Sequence, residues 1–438
     1  MSETIKPRER DAILQSLRSG VVPKIGLDHI QVGRKAEVAA IINDFNRIEN
    51  GGASVRFIIG RFGAGKSFFL NLSRAVALEK KFVVVNADIS VEKRLYSNQG
   101  KARALYAELM QNMAIRAKPN GGALANVLEK FVSDVDHNVR QGGGADKEVA
   151  EEIIKKLKPL QDQVSGYDFA NVLIKYLEGF HQQNETLMGN ALRWLRAEYT
   201  TKTEAKQDLG VRNIISDENI YDYLKLLASF TRIAGYTGLL VNIDEMGVLS
   251  HRLNNAIARN QNYETILRIL NDCLQGNVSG IGFVFAGTDG FLEDNRRGLY
   301  SYEALATRLS NQFAVKGLKD YSGPVISLEC LSPEDLFVLL CNIRNVFASG
   351  DKAKYLVPDE AMKEFMSLCS KTLGADYFKT PRDLIKSFVG FLSVLEQNPS
   401  VSWKDILCST KIEQSVDPES IPGPEDKDEG SDLTTLKL

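Results

Sequence analysis

The segment GRFGAGKS at residues 60–67 constrains this chain more than any other part of its sequence. It fits the pattern G-x-x-x-x-G-K-[ST] of a phosphate-binding loop. Residues 55–59 are mostly β-branched or aromatic and predict a buried strand, whereas residues 68–77 predict a helix. Strand, glycine loop and helix are the context in which the pattern binds phosphate. A glycine-rich turn followed by a surface lysine is therefore the weaker interpretation.

Each part of this loop has a chemical task. The glycines let several backbone N–H groups face one phosphate chain, and the helix N-terminus adds its partial positive charge. Lys66 is expected to reach the β- and γ-phosphates, and Ser67 to bind Mg²⁺. We therefore predict a site for a nucleoside triphosphate and Mg²⁺. The predicted contacts are Gly60, Arg61, Phe62, Gly63, Ala64, Gly65, Lys66 and Ser67.

The rest of the chain has the strand and helix patterns of an α/β protein. Residues 81–88, 238–243, 281–286 and 324–328 are short apolar runs bounded by turn residues, typical of strands in a parallel sheet. Ser332 and Thr380 each precede a proline and predict helix starts. The predicted divisions are an N-terminal helical segment (1–29), a first part of the core (30–95), a helical insertion (96–236), a second part of the core (237–330), a helical lid (331–400) and an acidic tail (411–438).

Two carboxylates follow the strand at residues 238–243. Asp244 is expected to hold Mg²⁺ through its water shell, and Glu245 to orient the attacking water. A strand that merely stops at charged residues is the alternative, and the upstream phosphate-binding loop argues against it. After the strand at 281–286, Thr288 is the polar side chain we place near the γ-phosphate, with Asp289 second. A plain strand-to-loop turn competes with that interpretation.

Arginines are candidates for stabilising charge in the transition state. Arg308 precedes the last predicted strand, and Arg382 begins a helix of the predicted lid, from where it can reach the γ-phosphate. Arg296 and Arg297 are weaker candidates. For Arg308 and Arg382, a surface or ion-paired arginine is the competing interpretation.

Composition sets broad limits on the protein class. Hydrophobic residues make up 44% and charged residues 25%, which is ordinary for a soluble globular protein. No apolar run is long enough to predict a membrane span, and the polar N-terminus lacks a signal peptide, so we expect a cytoplasmic protein. The five scattered cysteines show no metal-ligand spacing. Residues 413–432 carry a charge of −7 and the remainder +5, which is weak support for a polyanionic partner.

Together these motifs resemble the AAA+ ATPases over about residues 20–400. The resemblance makes residues 60–67 the Walker A motif and 239–245 the Walker B motif. It implies ATP as the nucleotide, adenine contacts at Val32 and Gly33, and a sheet order of 5-1-4-3-2. It also implies that Thr288 is sensor 1, that residues 380–382 are sensor 2, and that Arg308 acts on a neighbouring subunit of a homo-oligomer.

A closer resemblance is carried by residues 26–33, 50–52, 59–66, 101–106 and 192–195. These segments are similar to a family of bacterial defence ATPases, distantly related to the origin-recognition ATPases, that includes BrxD of the BREX phage-resistance systems. The resemblance implies DNA and other defence-system proteins as partners. The chain departs from a plain AAA+ core by roughly 170 residues between its Walker motifs, and no winged-helix domain is predicted after the lid.

The function predicted from these features is Mg²⁺-dependent ATP hydrolysis that acts on DNA or a DNA-bound complex in anti-phage defence. The main alternative is a nucleotide switch whose ATP-bound form recruits partner proteins with slow turnover. A kinase is a distant third, because Asp-Glu at the strand end favours water over a substrate hydroxyl as the nucleophile. Switch and hydrolase share every residue named above and differ in turnover and in stimulation by DNA.

Overall fold

A computed structural model describes residues 5–310, 320–373 and 381–409. Within these residues lies one sheet of five parallel strands. The strands are β1 (Ala53–Ile59), β2 (Val83–Asp88), β3 (Leu239–Asp244), β4 (Ile281–Gly287) and β5 (Val325–Ser327). Their order is β2-β3-β4-β1-β5, which is the expected 5-1-4-3-2 read from the other edge. The prediction of an α/β fold with a five-stranded parallel sheet is confirmed.

Helices precede, connect and follow the strands. Three belong to the first part of the chain: α1 (Pro7–Arg18), α2 (Lys35–Glu49) and α3 (Lys66–Glu79). Between β2 and β3 come α4 (Lys101–Gln111), α5 (Leu124–Gln141), α6 (Asp146–Gln161), α7 (Gly166–His181), α8 (Glu185–Leu195), α9 (Lys202–Leu209) and α10 (Ile220–Ile233). Between β3 and β5 come α11 (Gly247–His251), α12 (Ala256–Gln275), α13 (Asp289–Glu293) and α14 (Glu303–Leu309). The last are α15 (Pro333–Phe347), α16 (Asp359–Leu373), α17 (Pro381–Gln397) and α18 (Trp403–Ser409).

Helices cover both faces of the sheet, which explains why its strands are continuous apolar runs. All seven residues of β1 and of β4 are buried. On one face, alternate residues of the strands pack with α2 and α3. On the other face, the remaining strand residues share one apolar cluster with helices α4–α10, including Phe169, Trp194 and Tyr223. The helices between β2 and β3 therefore share a hydrophobic core with the sheet.

A separate apolar cluster joins the two ends of the chain. Ile13, Leu14 and Leu17 of α1 pack with residues of α15, α16 and α17 such as Leu336 and Phe388. The N-terminal helix is thus packed against the C-terminal helices. The predicted helix start at Ser332 is confirmed, because its side chain accepts a hydrogen bond from the Asp335 N–H at 3.1 Å. Thr380 and the tail at residues 411–438 lie outside the described residues.

One ion pair is buried between the sheet and α2. Arg56 of β1 and Asp44 of α2 have side chains that are 6% and 3% exposed. The Arg56 Nε donates to Asp44 Oδ2 at 2.5 Å, and its Nη2 donates to Asp44 Oδ1 at 3.0 Å. Arg56 also donates to the backbone oxygens of Tyr321 and Gly323. Arg56 therefore connects α2, β1 and the segment that precedes β5.

Candidate active site

The predicted phosphate-binding loop connects β1 to α3, and its glycines are needed for their backbone. A Cβ at Gly60 would lie 2.7 Å from the carbonyl oxygen of Leu328, just after β5, so the loop passes this strand too closely for a side chain. Gly65, at the N-terminus of α3, has φ of +90°, in the left-handed region that favours glycine. The loop therefore turns sharply into the helix and leaves the first N–H groups of α3 available for an anion.

Lys66 and Ser67 stand at the start of α3, as their predicted roles require. The Lys66 Nζ donates to the carbonyl oxygens of Gly60 at 2.8 Å and Arg61 at 3.0 Å. The Ser67 hydroxyl donates to Asp244 Oδ2 at 2.9 Å. The loop and the end of β3 thus place a hydroxyl and a carboxylate oxygen side by side, the hard oxygen donors that Mg²⁺ prefers. These two residues fit the metal that the sequence predicts.

Glu245, the carboxylate residue that follows Asp244, has an unusual backbone conformation. The second oxygen of Asp244 accepts a hydrogen bond from the Glu245 N–H at 2.8 Å. Glu245 has φ of +57°, in the left-handed region that is uncommon for a residue with a side chain. Asp244 therefore links Ser67 on one side to the Glu245 backbone on the other, and both carboxylates line the same cleft.

A third carboxylate, Asp88, lies beside this pair and was not predicted from the sequence. Asp88 ends β2 and is paired in register with Asp244 at the end of β3. Burial raises the pKa of Asp88 above its usual range, and the negative charges of Asp244 and Glu108 add to this effect while Lys93 opposes it. The signal was present in the sequence, since Asp88 ends an apolar strand, but only the strand order shows that this strand is next to β3.

These side chains line a cleft of about 1630 Å³. One part of its wall is apolar and is contributed by both ends of the chain, with Leu17, Val21, Val22, Pro23, Ile30, Val32, Leu331, Leu339 and Ile385. The other part holds the phosphate-binding loop and the carboxylates at the ends of β2 and β3. An apolar wall next to the predicted phosphate-binding loop suits the polarity of a nucleotide. Because small-molecule sites usually have about 300–1,000 Å³, the cleft is larger than one nucleotide requires.

The two predicted adenine contacts, Val32 and Gly33, differ in their position relative to the cleft. Val32 lines the cleft, whereas Gly33 is not among the lining residues and has φ of +66°. The next residue, Arg34, connects three segments, a bracing role that was not predicted. Its Nη2 donates to the Ala64 carbonyl oxygen at 3.0 Å and also to the carbonyl oxygen of Glu329. Arg34 therefore braces the phosphate-binding loop against the segment after β5.

Thr288 and Asp289 both lie at the end of β4 and have partners within the chain. The Thr288 hydroxyl accepts a hydrogen bond from the Phe291 N–H at 3.4 Å and so caps α13, while the residue also lines the cleft. Asp289 forms an ion pair with the exposed Arg61 of the phosphate-binding loop at 3.7 Å. Thr288 is thus the one of the two that lies on the cleft wall.

The four candidate arginines divide into two groups. Arg382 lines the cleft, with its guanidinium carbon 6.0 Å from the ring centre of Phe62, and Arg297 lines the cleft as well. Arg308 is exposed and outside the cleft, where its Nε donates to Asn271 Oδ1 at 2.7 Å. Arg296 is also exposed and is not among the lining residues.

Comparison with known families agrees with this geometry. A family model described as the BREX system ATP-binding protein BrxC/D matches residues 5–411 of the chain. This chain belongs to the BrxC/D family. The match spans the sheet, the helices between β2 and β3, and the C-terminal helices, so it covers every residue of the cleft.

Membership in the BrxC/D family bears out the predicted resemblance and identifies ATP as the ligand of the family. It also assigns the chain to BREX defence. No curated protein matches the chain at a significant level. Among the helices in the described parts of the chain, none combines the length and the hydropathy needed to cross a membrane.

Proposed function

We propose that this BrxC/D-family protein hydrolyses ATP in a Mg²⁺-dependent reaction and acts on DNA or a DNA-bound complex. The observation that carries the proposal is the hydrogen bond of 2.9 Å between the Ser67 hydroxyl and Asp244 Oδ2. It joins the phosphate-binding loop to the strand end that also bears Glu245. A site that only binds nucleotide has no need for a second carboxylate at that strand end.

Each of these residues has a separate role in the proposed reaction. Lys66 leaves the carbonyl oxygens of its own loop to bind the β- and γ-phosphates, and the N–H groups at the start of α3 bind the same phosphates. Mg²⁺, bound through Ser67 and Asp244, would neutralise charge that develops on the phosphates. Glu245 orients the attacking water and accepts its proton. Glu245 lines the cleft directly after Asp244, which supports this role.

Other residues complete the site. Thr288 lies on the cleft wall next to Glu245, which supports a role as a hydrogen-bonding group near the γ-phosphate. Arg382 stands over Phe62 at the cleft wall, from where a rotation of its long side chain brings it to the γ-phosphate. The apolar wall around Val32 accepts the adenine. Residues of α1 and α17 share this wall, so nucleotide binding holds the two ends of the chain together.

The position of Arg308 supports the proposal that the protein forms a homo-oligomer. Its side chain is exposed and lies outside the cleft of its own chain, as expected for an arginine that acts on a neighbouring subunit. A mixing experiment tests this role. Arg308→Ala and Lys66→Ala should each be inactive alone, whereas a mixture should recover part of the activity, because Lys66→Ala subunits supply Arg308 to intact phosphate-binding loops. A mixture as inactive as its components would show that Arg308 does not act at the ATP site of a neighbouring subunit.

ATP binding and single-turnover hydrolysis test the catalytic assignment. Lys66→Ala should lose ATP binding, whereas Lys80→Ala, which changes the lysine just after α3, should bind normally. Glu245→Gln should bind ATP and fail to hydrolyse it, because the amide cannot accept a proton from water. Turnover by Glu245→Gln at the rate of the unmodified protein would refute the role of Glu245. Normal ATP binding by Lys66→Ala would refute the site itself.

A further inference from the structure

Asn242 carries a buried hydrogen-bond acceptor for which the described parts of the chain supply no donor. The residue lies in β3, is 3% exposed and lines the cleft. Its Nδ2 donates to Asn86 Oδ1 at 3.1 Å, which orients the amide and leaves Oδ1 as the free end. Among the residues that the structure describes, no group donates a hydrogen bond to this oxygen. Buried polar atoms in folded proteins nearly all have a partner, and where the chain supplies none an ordered water does.

Asn86, the partner of Asn242, is held in turn by the chain around it. The two residues are paired in register on the neighbouring strands β2 and β3. The backbone oxygen of Asn86 accepts a hydrogen bond from Asn112 Nδ2 at 3.0 Å, just after α4. All three asparagines line the cleft. The Asn242 amide is therefore anchored from the β2 edge of the sheet, and its free oxygen has a fixed direction.

Asn242 lies on the same face of the sheet as the predicted metal ligand Asp244. Side chains alternate along a strand, so residues two apart share one face. That face is the one covered by α3, because Leu240 packs with α3 and Asp244 accepts a hydrogen bond from Ser67 at the start of that helix. Residues two apart in a strand are separated by about 6.5 Å, and one water with hydrogen bonds of about 2.8 Å on each side bridges such a gap.

The Asp244 carboxylate can accept further hydrogen bonds. Its Oδ2 accepts one from the Ser67 hydroxyl, and its Oδ1 accepts one from the Glu245 N–H. An ionised carboxylate has about four lone-pair sites, so each oxygen can accept a second bond. A water molecule has two hydrogens, one for Asn242 Oδ1 and one for Asp244.

We propose that Asn242 Oδ1 holds an ordered water that also donates to Asp244, which makes Asn242 a positioning residue for the Mg²⁺ ligand. The water fixes the direction of the carboxylate before the metal arrives. Groups that hydrogen-bond a metal ligand change metal affinity or activity about 10–100-fold when they are removed. This inference rests on the proposed Mg²⁺ site and adds the group that orients its carboxylate.

Equilibrium binding of a fluorescent ATP analogue, measured in EDTA and over a range of Mg²⁺ concentrations, tests the proposal without turnover. In the unmodified protein, Mg²⁺ should strengthen binding with a defined midpoint concentration. Asn242→Leu keeps the volume of the side chain and removes both polar ends, so the Mg²⁺ midpoint should rise about tenfold while binding in EDTA stays unchanged. Asn86→Ala removes the bond that orients the amide and should raise the midpoint by a smaller factor.

Asn262→Leu is the matched control for the loss of a buried amide. Asn262 is fully buried in α12, is not among the residues that line the cleft, and exchanges hydrogen bonds with the Tyr96 backbone at 2.9 and 3.2 Å. This change should destabilise the fold and leave the Mg²⁺ midpoint unchanged. An unchanged midpoint in Asn242→Leu, or in Asn86→Ala if the leucine variant does not fold, would overturn the proposal, as would an equal shift in Asn262→Leu. Binding that Mg²⁺ does not strengthen in the unmodified protein would instead refute the metal site of the proposed function, and this inference with it.

A crystal structure that resolves ordered water checks the bridge itself. One water should lie within hydrogen-bond distance, about 2.8 Å, of both Asn242 Oδ1 and a carboxylate oxygen of Asp244. A protein donor at Asn242 Oδ1, or no atom within that distance, would show that the bridge does not exist.

Discussion

The buried pair between Asp44 and Arg56 gives a quantitative prediction about the stability of the sheet. Both side chains are almost fully excluded from water, and two hydrogen bonds join them. Among the described residues, Asp44→Ala would leave the buried Arg56 guanidinium with two backbone oxygens as its hydrogen-bond partners. Removal of one partner from a buried ion pair costs about 3–5 kcal/mol, because the remaining charge keeps its desolvation penalty.

Hydrogen exchange of the β1 amides measures this cost locally, which suits a chain with more than one apolar cluster. A loss of about 3–5 kcal/mol corresponds to exchange that is roughly a hundred to several thousand times faster. Glu151→Ala is the matched control, because its pair with Lys147 is exposed and the two charges are 3.9 Å apart. That change should cost less than about 1 kcal/mol. A similar, small effect of both substitutions on β1 would refute the reasoning.

Three further predictions concern the site and the core. Gly60→Ala should weaken ATP binding at least about tenfold, because its Cβ would press against the carbonyl oxygen of Leu328; equilibrium binding of a fluorescent ATP analogue would show this, and normal affinity would contradict the observed close approach. Ser67→Ala should bind ATP but need a higher Mg²⁺ concentration for half-maximal hydrolysis and lose most of its rate, since it removes a predicted metal ligand; an unchanged Mg²⁺ titration would show that Ser67 does not bind the metal. Burial raises the pKa of Cys273 to about 12, so its thiol stays protonated at pH 8; mass spectrometry should show Cys273 unmodified by iodoacetamide in the native protein and modified in urea, and rapid native modification would contradict its burial.

The positions of the loop at residues 60–67 and of the carboxylates after β3 were predictable because their signals are local. The pattern at residues 60–67 specifies a turn, and its flanking strand and helix are contiguous with it in sequence. Asp244 and Glu245 end a strand, and parallel strands bring their carboxyl ends to one edge of a sheet. The hydrogen bond between Ser67 and Asp244 follows from these two facts and the strand order.

The residues missed from the sequence depend on contacts between distant segments. Asp88 ends an ordinary strand, and only the register of β2 against β3 places it beside Asp244. Arg34 resembles any surface arginine until the loop around Ala64 and the segment after β5 are brought to it. The amphipathic pattern of α1 predicts a helix with one buried face but does not identify the C-terminal helices against which that face packs.

The most direct test of the proposed function is the rate of ATP hydrolysis by the purified protein in Mg²⁺, with and without duplex and single-stranded DNA. Turnover should require Mg²⁺, rise with duplex DNA, and be absent in Glu245→Gln although that variant still binds ATP. Slow hydrolysis that does not respond to either form of DNA would contradict an action on DNA and would favour a nucleotide switch that recruits partner proteins.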